Sequence, residues 1–420
     1  MKTKFKVFSV IICVLLSAVS LTACSNAYGG KLLGKPKPLD KVDYSELSKD
    51  DYTTFKNSVE KFAAAFSASA YSEYDEEDNF AVSPISVYMA LALSAECASG
   101  DTRQEILDAL GVNYQQLKTH FSTLYRSLVK EYKAGDKTTG LLNITNSIWV
   151  DEETTVKQPC IDTLSDDYFA YSYSADFKYN NAKANKAVSD FVKKETHGLI
   201  DKDFELSERT MFALINTLYL KTIWNTNGKD LPFAKDKYNF TAKDGSVKET
   251  NLLQGSYNGG RVQEFDTFST FYTKTYDGYK IKFILPKAGN TIDSVFSAEN
   301  ISKVNSITDY GSYNEAGRVN YLTRVLFPEY KCAYDGDIVD ILKDKFDIDL
   351  FFKDPTWYSP ACDFSTLFVE PCYCKQLQHV TKLTVDRTGI EGAAVTVGPP
   401  SSDGMTETLM HDFIVNRAFG

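Results

Sequence analysis

Apolar positions along the chain fall into two periods. Phe55, Val59, Phe62 and Phe66 recur at three- and four-residue intervals, which places them on one face of a helix. Residues 104–110, 185–195 and 338–345 read as further helices, and a helical run over 87–93 follows Ser86. Runs dense in β-branched and aromatic residues predict strands at 142–150, 211–220, 280–285 and 382–385. The strands are long and irregularly spaced, and the helices cluster early. That pattern predicts one large α+β domain over 53–420 rather than a regular strand–helix–strand series. No internal repeat or second linker interrupts it.

One stretch is apolar without any period. Residues 7–19 follow Lys2, Lys4 and Lys6, and thirteen residues are too few to span a bilayer but suit a signal-peptide core. The run ends in Leu21-Thr22-Ala23-Cys24, which resembles the lipobox of bacterial lipoproteins. The resemblance implies a leader over 1–23 and a lipidated Cys24 as the mature N-terminus. Several acyl chains on one residue anchor stably where a single chain does not. An ordinary secretory peptide with an incidental Cys24 is the alternative. Residues 24–52, rich in Ser, Gly, Lys, Pro and Asp, read as a flexible spacer. The expectation is an exported protein, tethered to the outer face of the plasma membrane through Cys24, or extracellular.

Composition narrows the function. With 43% hydrophobic and 24% charged residues in 420, the chain has the make-up of a folded protein with a large core. Net charge is −10, and loss of residues 1–23 removes three lysines and no acid, leaving −13. Phosphate neutralisation needs a basic face, so nucleic acid is not an expected partner. Beyond Cys24 stand Cys97, Cys160, Cys332, Cys362, Cys372 and Cys374, too few for a disulfide scaffold in a chain this long. Cys372 and Cys374 read as small apolar residues near a strand. His120, His197, His379 and His411 form no metal-ligand pattern, and no metal or cofactor is expected. Phosphate loops, nucleophile elbows and zinc-protease motifs are all missing, so the chain does not read as an enzyme.

The informative segment runs His379-Val-Thr-Lys-Leu-Thr-Val-Asp-Arg-Thr-Gly-Ile-Glu-Gly-Ala-Ala394 and continues into Gly398-Pro-Pro-Ser-Ser-Asp-Gly404. It resembles the hinge and reactive loop of the serpins, serine protease inhibitors that trap their targets through a conformational change. Six further stations keep the family's order: Asn79-Phe-Ala-Val-Ser-Pro-Ile-Ser86, Asn146-Ser-Ile-Trp149, Asn216 to Trp224, Phe283-Ile-Leu-Pro286, Phe327-Pro-Glu-Tyr330 and Asp363-Phe-Ser-Thr-Leu367. The resemblance implies an α+β serpin fold of three β-sheets and eight to nine helices, with an exposed reactive-centre loop. Gly389, Ile390, Glu391, Gly392, Ala393 and Ala394 would form the hinge. Ser83, Ser86, Asn216 and His379 would form the shutter, and Trp224 would mark the breach where loop insertion begins.

Function follows as an expectation: a monomeric suicide inhibitor of serine, or cysteine, endopeptidases, held to its target as a covalent acyl complex. A serpin-fold surface protein that no longer inhibits, either a protease substrate or a binding lipoprotein, is the alternative. An inserting strand buries alternate side chains, and Ile390, Gly392, Ala394 and Thr396 share an uncharged face. Counting from either end of the loop leaves the scissile bond within the window Asp403, Gly404, Met405 and Thr406. Three features depart from the family: Ile390 stands where Thr or Ser is usual, Pro399-Pro400 cannot donate to a strand ladder, and the sequence stops at Gly420, where family members supply two more strands of sheet B. The first predicts slow insertion at the hinge, and the last predicts a domain lacking those strands.

Overall fold

In a computed structural model of the chain, the described residues are 28–40, 48–74, 78–134, 137–224, 230–258, 260–308, 319–355, 357–375, 377–390 and 407–420. The leader, Cys24, Glu391 to Ala394 and the window from Asp403 to Thr406 lie outside them.

An eight-stranded sheet organises the molecule. Its order is β1 (Lys31–Gly34), β4 (Ala170–Ala175), β3 (Lys137–Asp151), β5 (Phe212–Ile223), β15 (Gly389–Ile390), β14 (Gln378–Val385) and β13 (Tyr330–Asp337), with β2 (Lys130–Ala134) paired to β3. The long ladder from Gly140↔Thr222 to Val150↔Phe212 fixes β3 against β5. Most of β5 is buried, as its dense apolar run requires of a strand covered on both faces.

Two three-stranded sheets stand elsewhere. One joins β16 (Glu407–Ile414), β12 (Val319–Phe327) and β8 (Leu253–Asn258); the other joins β11 (Lys280–Pro286), β10 (Phe268–Lys274) and β9 (Gln263–Glu264). A separate hairpin pairs β6 (Tyr238–Thr241) with β7 (Val247–Thr250). Gly420 and Ile284 exchange backbone hydrogen bonds beside β10 and β11.

The described helices are α1 (Lys49–Ser72), α2 (Pro84–Cys97), α3 (Gly100–Leu110), α4 (Tyr114–Leu128), α5 (Gln158–Asp166), α6 (Asn181–Glu195), α7 (Ile292–Val295), α8 (Ala298–Ser306) and α9 (Val339–Phe346). Local chemistry sets the ends. Ser48 caps α1 by accepting from the Asp51 amide, with Asp50 and Asp51 at the positive end of the helix dipole. Pro84 opens α2, and Asn113 with Gln116 completes a capping box on α4. The apolar face of α1 is buried as its spacing predicts. α2 is buried on nearly every side, because it runs through the core between α1 and the large sheet.

The spacer over 24–52 is corrected in part. Lys31↔Ser174 and Gly34↔Ser172 add β1 to the edge strand β4. Just upstream, Tyr28 packs edge-on against Tyr173 and Phe191 and donates to Glu195. The helix α1 also begins before residue 53. Four residues of strand are too few to show a period, and their partner lies far along the chain, so composition alone reads them as linker.

Candidate functional site

The expected site residues that lie among the described ones, Ser83, Ser86, Asn216, Trp224, His379, Gly389 and Ile390, gather around the seam between β5 and β14. Both strands are antiparallel to β15 and therefore parallel to each other. Among the described residues, the two-residue β15 is the strand that joins them: Gly389 pairs with Ile223, and Ile390 pairs with Thr222 on one side and Val385 on the other.

How the chain turns from β14 into this gap is local chemistry. The Asp386 carboxylate accepts the amides of Thr388 (2.8 Å) and Gly389 (3.3 Å) and the Thr388 hydroxyl (2.7 Å), while the Asp386 amide donates to the Gly389 carbonyl. Gly389 is required by close approach: a Cβ there would stand 2.1 Å from the Thr222 carbonyl oxygen. Ile390 is 4% exposed, in a cluster with Trp224, Phe327 and Val385. The Trp224 indole donates to the Asp386 carbonyl at 2.6 Å and so grips the turn itself. The bulk of Ile390 packs beside Trp224 at the top of the gap.

Two supporting groups were not among the expected site residues, although Asn146 opens one of the serpin-like segments. Asp277, in the turn between β10 and β11, accepts the hydroxyls of Thr139 on β3 (2.8 Å) and Thr222 on β5 (2.9 Å). Gly140 leaves room for it, since a Cβ there would meet the same carboxylate. Asn146 is the second. It accepts from the Asn216 amide at 2.5 Å and donates to the Tyr168 carbonyl.

Lower in the seam, Ser83, Ser86, Asn216 and His379 lie together. His379 Nε2 accepts the Ser83 backbone amide at 3.0 Å, and the Ser83 and Ser86 hydroxyls are 2.8 Å apart. The imidazole's partner is therefore a main-chain group rather than a hydroxyl. Burial depresses the His379 pKa to about 4, so the ring is neutral and free to accept. Ser86, Asn216 and His379 line a cavity of about 20 Å3 with Leu214, Ile338 and Leu377, room for one water. Asn216 Oδ1 has no protein partner there. Backbone pairing closes the upper seam, and a sparse polar cluster holds the lower.

A profile of the serpin (serine protease inhibitor) family matches residues 57–420. The chain belongs to the serpin family. It is 26% identical to serpin A3-6 of Bos taurus over 349 residues, 82% of this chain and 79% of that protein. Against alpha-1-antitrypsin 1-3 of Mus musculus it is 24% identical over 376 residues, covering 85% and 84%. Among solved structures, the fold resembles the thermophilic serpin tengpin in its native state, with TM-score 0.70, 20% identity and 92% of each chain covered. It also resembles a highly specific serpin of the insect Tenebrio molitor, with TM-score 0.70, 22% identity and coverage of 90% and 94%. Thyroxine-binding globulin in complex with thyroxine matches with TM-score 0.69, 20% identity and coverage of 87% and 94%. Serpins are in general protease inhibitors rather than catalysts, and this chain has the family's mixed α+β architecture. No helix among the described residues is long and apolar enough to cross a membrane.

Proposed function

We propose that this serpin is a suicide inhibitor of serine endopeptidases that traps the acyl-enzyme by drawing its cleaved loop into the seam between β5 and β14. The observation that carries this reading is β15, which lies between those two strands with Gly389 and Ile390 paired to its neighbours. The target's serine oxygen attacks a carbonyl within Asp403 to Thr406, and the peptide C–N bond breaks. The serine proton leaves with the new amine, and an ester joins loop to protease. The freed segment then extends β15 downward as a full strand. About 15 residues at roughly 3.3 Å each carry the protease about 50 Å, the length of a domain this size. A shift of about 1 Å in the target's catalytic groups costs about a hundredfold in rate, so deacylation loses the race. The hinge residues Glu391, Gly392, Ala393 and Ala394 follow Ile390, and Ala394 shares its buried-facing parity. In the same reading Cys24 carries lipid and the inhibitor acts at the outer surface as a monomer.

The test is to incubate the mature protein with trypsin-, chymotrypsin-, elastase- and subtilisin-like enzymes. The reading requires an SDS-resistant adduct with at least one of them. Ala394→Arg places an unpaired charge on the inserting face and converts trapping to plain cleavage. Rapid cleavage of wild type without any adduct leaves the substrate or carrier reading in its place.

A further inference from the structure

Outside the seam, α6 presents a face whose charge runs against that of the molecule. Its inward side carries Ala187, Val188 and Phe191, and Phe191 packs edge-on against Trp149 and Tyr173 of the large sheet. The exposed positions include Lys183, Lys186, Asp190, Lys193 and Lys194, four lysines against one aspartate. The whole chain carries −10, or −13 once the three lysines of residues 1–23 are gone. Lys186 is paired with Asp190 at 2.6 Å and Lys193 with Asp201 at 2.8 Å, whereas Lys183, and Lys31 on the adjoining β1, make no ion pair among the described residues. Tyr179, 71% exposed, stands one residue before the N-cap Asn180 of this helix.

The chain enters the domain at this same face. Tyr28 packs on Phe191 and donates to Glu195, the Lys194 ammonium lies 4.9 Å over its ring, and a Cβ on Gly29 would stand 3.9 Å from Lys183. Four peptide units separate Cys24 from Tyr28, and fully extended they reach about 14 Å. A domain of this size is about 55 Å across. A lipid on Cys24 therefore holds α6 and β1 close to the headgroups. We propose that the lysine face of α6, with Lys31, docks on an anionic lipid bilayer, an inference that rests on the reading that Cys24 carries lipid.

Charge decides which side turns inward. An anionic leaflet repels the acidic bulk of the molecule and attracts this face, within a Debye length of about 8 Å. The short tether keeps the lysines inside that range, and their stems lie along the surface while the ammonium groups stay among the headgroups. An exposed tyrosine beside them suits the same layer. The far side is fixed by strand alternation. Ile148 and Val150 of β3 pack in the cluster that holds α1 and α2, while Trp149 between them packs with α6. The large sheet thus separates α6 from α1, and docking on α6 turns the exposed Lys56 and Lys61 of α1 towards solution.

The test installs the anchor chemically. Every cysteine from Cys97 to Cys374 is buried, so a maleimide lipid added to the native chain from Cys24 to Gly420 couples at Cys24. On vesicles of seven parts phosphatidylcholine to three of phosphatidylglycerol, the coupled chain is pulsed with a lysine-acetylating reagent. Mass spectrometry then reads each site against the uncoupled chain. Acetylation of Lys31, Lys183 and Lys194 should fall about threefold or more, with Lys56 and Lys61 unchanged. Phosphatidylcholine alone should shrink the contrast below about twofold. Lys31→Glu/Lys183→Glu should lose it on the charged vesicles, read at Lys186 and Lys194, while keeping the wild-type melting temperature. An even fall at every lysine, protection centred on α1, or an equal contrast on both vesicles overturns the proposal. The native anchor is read separately, from the mass of the Cys24 peptide in membrane-extracted protein. An unmodified Cys24 there overturns the anchoring reading, whereas the coupled chain reports the docking face by itself, so the two failures are told apart.

Discussion

The two ends of the seam solve one problem differently. At the top, Gly389 and Ile390 complete the sheet, and Trp224, Phe327 and Val385 bury the junction. Lower down, Asn216 of β5 and His379 of β14 line a water-sized cavity but bond to other elements, Asn146 on β3 and the Ser83 amide, with one amide oxygen left without a protein partner. Apolar burial is non-directional and grows with each residue added, whereas a polar cluster must be rebuilt whenever its strands shift. The upper seam is therefore held by pairing and apolar burial, and the lower seam rests on fewer, directional contacts.

Breaking the upper seam has the largest effect. Trp224→Ala removes the centre of the apolar junction and its bond to Asp386, and costs about 3–5 kcal/mol. Guanidinium unfolding curves measure it. A loss below about 1 kcal/mol would mean the junction contributes little to holding the hinge. The lower seam responds to acid. An unfolded chain protonates His379 near pH 6.5, while the folded seam refuses the proton until about pH 4. Stability from this group is present above that window and falls with pH through it, by up to about 3 kcal/mol. Unfolding midpoints at pH 7.5 and 5 should therefore separate wild type from His379→Gln, which lacks this slope. Equal losses would place the acid sensitivity elsewhere.

The smallest effect sharpens the contrast with an exposed contact. Arg324 on β12 makes a two-pronged bond to Asp412 on β16, the strand that follows the loop, but both side chains are about one-third exposed. Asp412→Asn should cost less than about 1 kcal/mol, and less still in high salt. A larger loss would give this surface pair a part in holding the loop's far end.

What was legible in the sequence divides along the same lines. Gly389, Trp224 and the His379 cluster could be placed because each sits in a run that resembles a serpin segment, and the shared order of those segments fixes the register. The contacts of Asp277 and Asn146 could not, although Asn146 opens such a segment. Each reaches its partners from a different strand or turn, and a lone carboxylate or amide in a polar chain carries no mark of what it will meet. The surroundings of Ile390 were unreadable for a related reason, since size alone does not say which apolar cluster a side chain will join. β1 was hidden because four residues beside two glycines look like any linker.

That last strand has a mechanical side. Whatever pulls on the segment ahead of Tyr28 pulls on the rim of the large sheet and the flank of α6 before it reaches α1. A tug from that direction lifts Tyr28 from its aromatic socket and peels four residues from β4 one at a time, at low force, instead of shearing them together. The first contact to yield is a four-residue zip, and what comes loose with it is the margin of the large sheet.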